Sequence, residues 1–189
     1  APYREYEVCG MGAPSSGAIA LGEILGVLQN QDMKALGSEN IHSWRWIGDA
    51  SRIAFADRDH YIGDPAFVNV PTRALISQAY LKPRAEEIRQ ADKALENIQA
   101  GKFGKKYAQG MAVELPSTSH LVVVDKDGNV VSMTTSIENA FGSGLMANGY
   151  LLNNELTDFA FNPVGADGKT VANSVAGGKR PRSSMARPL

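Results

Sequence analysis

Two kinds of apolar spacing divide this chain. Up to about residue 100 the hydrophobic positions recur at helical intervals, and from residue 118 onward they alternate and are rich in β-branched side chains. Ile19, Leu21, Ile24, Leu25 and Leu28 predict a first helix. A second starts at Ser38-Glu39-Asn40, with Ile41, Trp44, Ile47, Ile53 and Phe55 as a partly regular apolar face. Asp49, Arg52, Asp57, Arg58 and Asp59 alternate charge around that face. This helix ends by Asp64-Pro65, because a residue before proline is pushed out of the helical region. Pro71 to Ala79 predicts a short helix, and Pro83 is expected to open a polar one running to Glu96. Ahead of them, Tyr6 and Val8 alternating against Glu5 and Glu7 predict a short strand over Arg4 to Met11.

Gly101 to Met111 is basic and glycine-rich and reads as an exposed linker. After it, Leu121–Val124 and Val130–Thr135 flank Asp125-Lys126-Asp127-Gly128-Asn129, the turn chemistry of a hairpin. A loop at Phe141-Gly142-Ser143-Gly144 leads to a short strand at Tyr150-Leu151-Leu152, and the stretch from Gly177 to Met185 is irregular and polar. No internal repeat is visible.

Composition narrows the function classes. In 189 residues, 43% are hydrophobic and 21% charged, as in an ordinary globular protein, and the net charge of −1 removes the electrostatic case for nucleic acid or an anionic membrane as partner. No apolar run approaches the roughly 18 to 20 residues of a membrane span. The first residues lack the basic-then-apolar order of a signal peptide. The single cysteine, Cys9, excludes an internal disulfide or a cysteine-based metal cluster and is expected to be a buried, inert thiol.

Three apparent motifs fail on inspection. After Gly12 and Gly17, Ala18-Ile19 replaces the lysine and hydroxyl residue of a phosphate loop, and no glycine follows three positions after Gly12. A tight turn with Ser15 or Ser16 near a helix cap is the expectation there. His42 and His60 have no third ligand at metal spacing and read as capping or surface residues. The twelfth position of a calcium loop begun at Asp125 is Ser136 rather than a carboxylate, so that segment reads as a turn.

The two halves meet at Leu115-Pro116-Ser117-Thr118-Ser119-His120. A threonine hydroxyl is a poor nucleophile without an adjacent base. Cleavage of the Ser117–Thr118 bond, by attack of the same hydroxyl on the preceding carbonyl, would supply one. The freed α-amine has an ordinary pKa of ~7.7–8.0 and is partly neutral at physiological pH.

Several ordered motifs together resemble the γ-glutamyltransferases (glutathione hydrolases). They are Thr118-Ser119-His120, the hairpin turn, Ser132-Met133-Thr134-Thr135-Ser136, Phe141 to Gly144, Leu151 to Phe159, and Arg180-Pro181-Arg182-Ser183-Ser184-Met185. Upstream, Val8 to Gly17 and Ala50 to Arg58 look like that family's large subunit. The resemblance implies an α+β fold of the N-terminal-nucleophile hydrolase type, an αββα sandwich of two stacked sheets between helical layers, incomplete in this chain. Residues 1–117 would be the end of the large subunit and mainly helical, and residues 118–189 the strand-rich start of the small one. The two would form one composite domain and stay associated after autocleavage.

By match, Thr118 is the nucleophile, Ser136 stands where a family threonine supports its activation, and Thr134 is a second hydroxyl assisting cleavage. Glu155 and Asp158 match the positions that hold the substrate's α-amino group, and Ser183 and Ser184 the pair that meets its α-carboxylate. Glu138 replaces an asparagine that contacts the substrate's amino-acid end. The implied reaction is γ-glutamyl transfer to an amino acid or peptide, or to water, without metal or cofactor, in a periplasmic or extracellular setting.

A cephalosporin or glutaryl acylase activity of the same superfamily is the alternative that Glu138 opens, and an inactive truncated fragment is the reading from another class. The family's oxyanion glycines lie beyond Leu189 and its carboxylate-pairing arginine ahead of Ala1. This chain is therefore expected to be a central piece, with open strand edges and apolar faces that favour association.

Overall fold

The computed structural model describes residues 1–104, 107–110 and 118–185. In its first half, helices α1 (Gly17–Leu28), α3 (Ile41–Tyr61) and α5 (Gln78–Gln90) pack on one another, with single-turn helices α2 (Met33–Leu36) and α4 (Thr72–Leu75) between them. Val27, Leu28, Trp46, Ala50, Ile53, Leu81, Ala85 and Ile88 form the main core. Gly26 lets α5 close on α1: a Cβ there would lie 2.3 Å from Leu81 Cδ1. Asn40 starts α3 by accepting the His42 amide at 2.9 Å, an N-cap bond. The helix ends at Tyr61, before Asp64-Pro65.

Helix α3 buries only part of the face its apolar spacing suggested: Ile53 is in the core and Ile47 packs against it. Ile41, Trp44 and Phe55 are exposed, while Asp49, Asp57 and Arg58 are buried beside Trp46, Ala50, Ile53 and Ala54. Distant partners make this affordable. Asp57 accepts from Tyr80 Oη at 2.5 Å and from the Gly101 amide at 2.6 Å, and Asp49 accepts from the Leu95 amide at 3.1 Å. Buried carboxylates with such bonds avoid most of the desolvation penalty.

Pro83 lies inside α5 rather than opening it, and the helix stops at Gln90, short of Glu96. An interior proline costs about 3 kcal/mol. Full burial of Leu81 and Ile88, at roughly 1.5–3 kcal/mol each, offsets it.

The segment from residue 101 to 110 is not an exposed linker, as far as it is described. The Phe103 ring meets Tyr61 and Tyr80 edge-on at 5.5 and 4.7 Å, Tyr107 and Ala108 are buried, and the Gly110 amide donates to Asp59 O at 3.0 Å. Its aromatic residues outweigh its glycines; Lys105, Lys106 and Met111 lie outside the described residues. The N-terminal strand is also shorter than expected. Arg4 has φ 54° and turns the chain, pairing β1 (Pro2–Tyr3) with β2 (Tyr6–Glu7), and Cys9 beyond it is exposed rather than buried.

The second half begins with the expected hairpin. Strands β3 (Thr118–Val124) and β4 (Val130–Ser136) pair antiparallel, from Thr118 opposite Ser136 to Val124 opposite Val130. Asp125 Oδ1 closes the turn by accepting from the amides of Asp127 and Asn129 at 2.8 and 2.9 Å, and Gly128 supplies φ 84°. A smaller ladder joins β5 (Met146–Ala147) to β6 (Tyr150–Leu151), followed by a 3₁₀ turn at Glu155–Asp158. Helices thus cluster early and strands late, an α+β arrangement. Among the described residues, none of the helices is long and apolar enough to cross a membrane.

Candidate active site

Hairpin register builds the first part of the site. Because side chains alternate along a strand, Thr118 and His120 share one face with Ser136 and Thr134. Thr118 Oγ1 donates to Ser136 Oγ at 3.0 Å, and the Glu138 amide donates to the same oxygen at 2.9 Å. Ser136 Oγ thus accepts from both the Thr118 hydroxyl and the Glu138 amide. Thr134 meets His120 Nδ1 at 2.8 Å, not Thr118, so the two expected helper hydroxyls occupy different positions. Ser117 lies outside the described residues.

The second part hangs from Glu138, whose φ of 71° turns the chain out of β4. Its carboxylate accepts from Asn154 Nδ2. Asn154 also donates to Thr157 Oγ1 at 3.0 Å and accepts from the Asn139 amide at 2.9 Å, tying the strand end to the 3₁₀ turn that carries Glu155 and Asp158. Burial, then the charge of Glu155 and a hydrogen bond with it, then Glu138, push Asp158 up to about 6, while Arg58 opposes them. Asp158 is therefore largely ionised at neutral pH but loses its charge under mildly acidic conditions.

The third part joins the C-terminal segment to the helices. Arg180 forks onto Asp64 through Nε and Nη2 at 3.1 and 2.8 Å, and its hydrogen bonds hold the Asp64 carboxyl well below the usual range. Ser16 is the N-cap residue of α1, after a turn in which the Ser15 amide donates to Gly12 O at 3.1 Å, but its side chain bonds elsewhere. Ser16 donates through its amide and hydroxyl to Ser183 O at 2.7 and 2.9 Å, and Ser15 Oγ donates to Met185 O at 2.7 Å.

Arg58, buried on α3, donates from Nε to Ser16 Oγ at 3.0 Å, from Nη1 to Asp59 at 2.9 Å and from Nη2 to Ser184 Oγ at 2.5 Å. Arg182, also buried, meets Asp59 at 3.1 Å and the Arg58 carbonyl at 3.2 Å. Burial, followed by the Arg182 charge, lowers Arg58 to about 10, so it stays a cation at neutral pH.

The expected residues thus fall into a hydroxyl pair (Thr118 and Ser136), an acidic group (Glu138, Glu155 and Asp158) and a serine pair (Ser183 and Ser184) backed by guanidinium charge. Apolar periodicity missed Arg58, Asp59 and Asn154. Arg58 and Asn154 do sit inside the stretches that carry the family resemblance, which is the signal that could have found them. Among the described residues, no group of three or more His, Cys, Asp or Glu side chains is placed to hold a metal ion.

The α+β fold is of the N-terminal-nucleophile hydrolase type, as its likeness to solved structures shows. A solved structure of cephalosporin acylase from Bacillus halodurans has this fold, with a TM-score of 0.79 over 100% of this chain and 31% of that one, at 22% identity. The family model for gamma-glutamyltranspeptidase matches residues 1–188, and this chain belongs to that family of enzymes. The glutathione hydrolase proenzyme of Escherichia coli (strain K12) is 40% identical over 194 residues, covering 97% of this chain and 32% of the relative. The acylase ACY 1 proenzyme of Pseudomonas sp. (strain V22) is 36% identical over 97% of this chain and 30% of its own length. The Helicobacter pylori gamma-glutamyltranspeptidase structure matches with a TM-score of 0.51 at 39% identity, over 53% of this chain and 29% of that one. The chain spans about a third of the length of the curated relatives it matches.

Proposed function

We propose that this chain is the catalytic junction of a γ-glutamyl acyl-transfer enzyme whose nucleophile is Thr118, freed by autocleavage of the Ser117–Thr118 bond. The observation that carries this reading is the Thr118 Oγ1–Ser136 Oγ hydrogen bond of 3.0 Å at the start of the hairpin. After cleavage the Thr118 amine takes the hydroxyl proton, and Oγ1 attacks the γ-amide carbonyl of the substrate. The departing amine receives the proton, leaving a γ-glutamyl ester on Thr118. Water then releases glutamate, or an amino acid or peptide amine takes the γ-glutamyl group.

Glu155 and Asp158 hold the substrate ammonium through charge-assisted hydrogen bonds, and Ser183 and Ser184 hold its α-carboxylate. The two cleaved pieces stay associated, supported by contacts such as Ser16 to Ser183 that join residues on either side of the cut. The family resemblance supports a periplasmic or extracellular setting.

One observation supports a second reading, an acylase of the cephalosporin or glutaryl type with the same nucleophile: the 36% identity to the acylase ACY 1 proenzyme. A glutaryl group keeps the carboxylate and lacks the ammonium, so the negative charge that Glu138 adds beside Asp158 favours the γ-glutamyl head of the first reading.

Intact mass measurement of the full-length precursor carrying this segment, with Thr118→Ala as control, tests the nucleophile. Cleavage between Ser117 and Thr118 that disappears in the variant is expected, together with complete loss of turnover. An uncut wild-type chain overturns the proposal. Faster hydrolysis of γ-glutamyl than of glutaryl anilide selects the first reading, and the reverse selects the second.

A further inference from the structure

The guanidinium of Arg58 has a geometry that a purely structural ion pair does not need. Arginine has N–H donors and no acceptor, so any hydroxyl that meets it must accept there and direct its own proton elsewhere. Ser16 illustrates the consequence: its Oγ accepts from Arg58 Nε at 3.0 Å and donates to Ser183 O at 2.9 Å. Ser184 Oγ accepts from Arg58 Nη2 in the same way.

We propose that Arg58 is the positioning residue of the carboxylate cradle, holding the Ser184 hydroxyl where it meets the α-carboxylate of the γ-glutamyl substrate. The inference rests on the assignment of Ser183 and Ser184 to that carboxylate. Through Ser16, the same guanidinium steadies the backbone at Ser183, so one side chain sets both members of the serine pair.

The charge pattern fits an α-amino acid head. Behind the serines stand two cations, Arg58 and Arg182, around one carboxylate, Asp59. Glu138, Glu155 and Asp158 form an acidic group, and Arg58 and Arg182 both interact electrostatically with Asp158. A zwitterionic α-carbon group placed between them has its carboxylate toward the guanidinium side and its ammonium toward the acids. Lysine would retain the cation but not the planar fork that reaches Ser16, Asp59 and Ser184 at once.

The test uses the full-length enzyme carrying this segment, with three anilides: γ-glutamyl, 4-aminobutyryl (no α-carboxylate) and glutaryl (no α-amine). Arg58→Lys is expected to lower kcat/KM for γ-glutamyl anilide by about 10- to 100-fold, mainly through KM, the loss of one charge-assisted hydrogen bond. The 4-aminobutyryl rate should change by less than about threefold, because that substrate has no α-carboxylate for the serine pair to meet. The acid limb of the γ-glutamyl profile stays in place, since the charge facing Asp158 from α3 is kept while Glu155, Glu138 and Arg182 are untouched.

Equal losses on γ-glutamyl and 4-aminobutyryl substrates, or no loss on the first, overturn the proposal. If Arg58→Lys does not fold, Ser16→Ala reads the same coupling. It should give a smaller loss with the same selectivity, and an unselective effect overturns the proposal as firmly. A wild-type enzyme that does not prefer γ-glutamyl over 4-aminobutyryl anilide refutes the underlying carboxylate assignment, an outcome distinct from failure of the Arg58 role alone.

Discussion

The helical layer and the β3–β4 hairpin both carry large aliphatic side chains and dispose of them in opposite ways. Val27, Ile53, Leu81 and Ile88 are fully buried between α1, α3 and α5, whereas Val122, Val123, Val124 and Val131 are 59, 55, 63 and 54% exposed. On the hairpin, Leu121, Val123, Val131 and Met133 line the face opposite the hydroxyls, and valines also continue the face that bears Thr118. Apolar residues on both faces are the pattern of a strand covered on both sides, and a two-stranded hairpin has little stability alone. The candidate nucleophile therefore rides on an element that depends on further packing. Ser183 and Ser184, proposed to hold the substrate carboxylate, are anchored instead to a layer with its own core. Order at Thr118 and order at Ser184 should respond separately to mutation.

The largest expected effect sets these regions against each other. Leu81→Ala removes a side chain seated on Gly26 in the main core and should cost about 2–5 kcal/mol. Val123→Ala, on the bare face of the hairpin, should stay within about 0.5 kcal/mol. Urea unfolding followed by fluorescence of Trp46, which lies in the Leu81 cluster, measures both. A Val123→Ala cost approaching that of Leu81→Ala would mean that the hairpin is covered in solution, through self-association or otherwise, and would erase the contrast.

A smaller effect is expected at the joint between the regions. Glu138 helps raise Asp158 to about 6, so Glu138→Asn should lower that value and keep Asp158 ionised in more acidic solution. Asparagine also suits the φ of 71° at this position and can accept from Asn154. The acid limb of γ-glutamyl anilide hydrolysis should shift to lower pH, with KM at pH 5.5 falling by roughly two- to fivefold. An unchanged limb would show that Asp158 does not meet the substrate ammonium.

What the sequence made legible follows the range of the interactions. The hairpin was readable over Leu121–Val124 and Val130–Thr135 because Asp125, Gly128 and Asn129 close it locally, and the structure extends that register to Thr118 opposite Ser136. Helices α1 and α3 were readable from their periodicity. The inward charges of α3 were not, because Asp57 finds Tyr80 and Gly101 far along the chain. Pro83 misled for a related reason: its local cost is overridden by tertiary burial of its neighbours. In the site, motif resemblance reached the hydroxyls and acids, but Arg58 meets Ser184 across 126 positions and Ser16 meets Ser183 across 167. No spacing rule spans such separations.

The smallest expected effect tests whether Glu23, buried in the helical layer, holds its proton as its packing demands. Glu23 on α1 is 1% exposed, its Oε2 has no hydrogen-bond partner among the described residues, and Asp57 lies beside it with Tyr80 and Arg84. Burial, then the charge of Asp57, push the Glu23 carboxyl well above its usual range; Arg84 opposes them. A native state that holds this proton more tightly than the unfolded chain gains most below the ordinary glutamate value of about 4.3 and loses that gain as pH rises. Glu23→Gln keeps a donor for Asp57 and removes the titration. The variant should match the parent near pH 4.5 and become progressively the more stable of the two toward pH 8, read as a Tm difference that grows with pH. A Tm difference that does not change with pH would mean that Glu23 ionises as easily in the folded protein as in the unfolded chain, and that the helical core is wetter than the hairpin contrast requires.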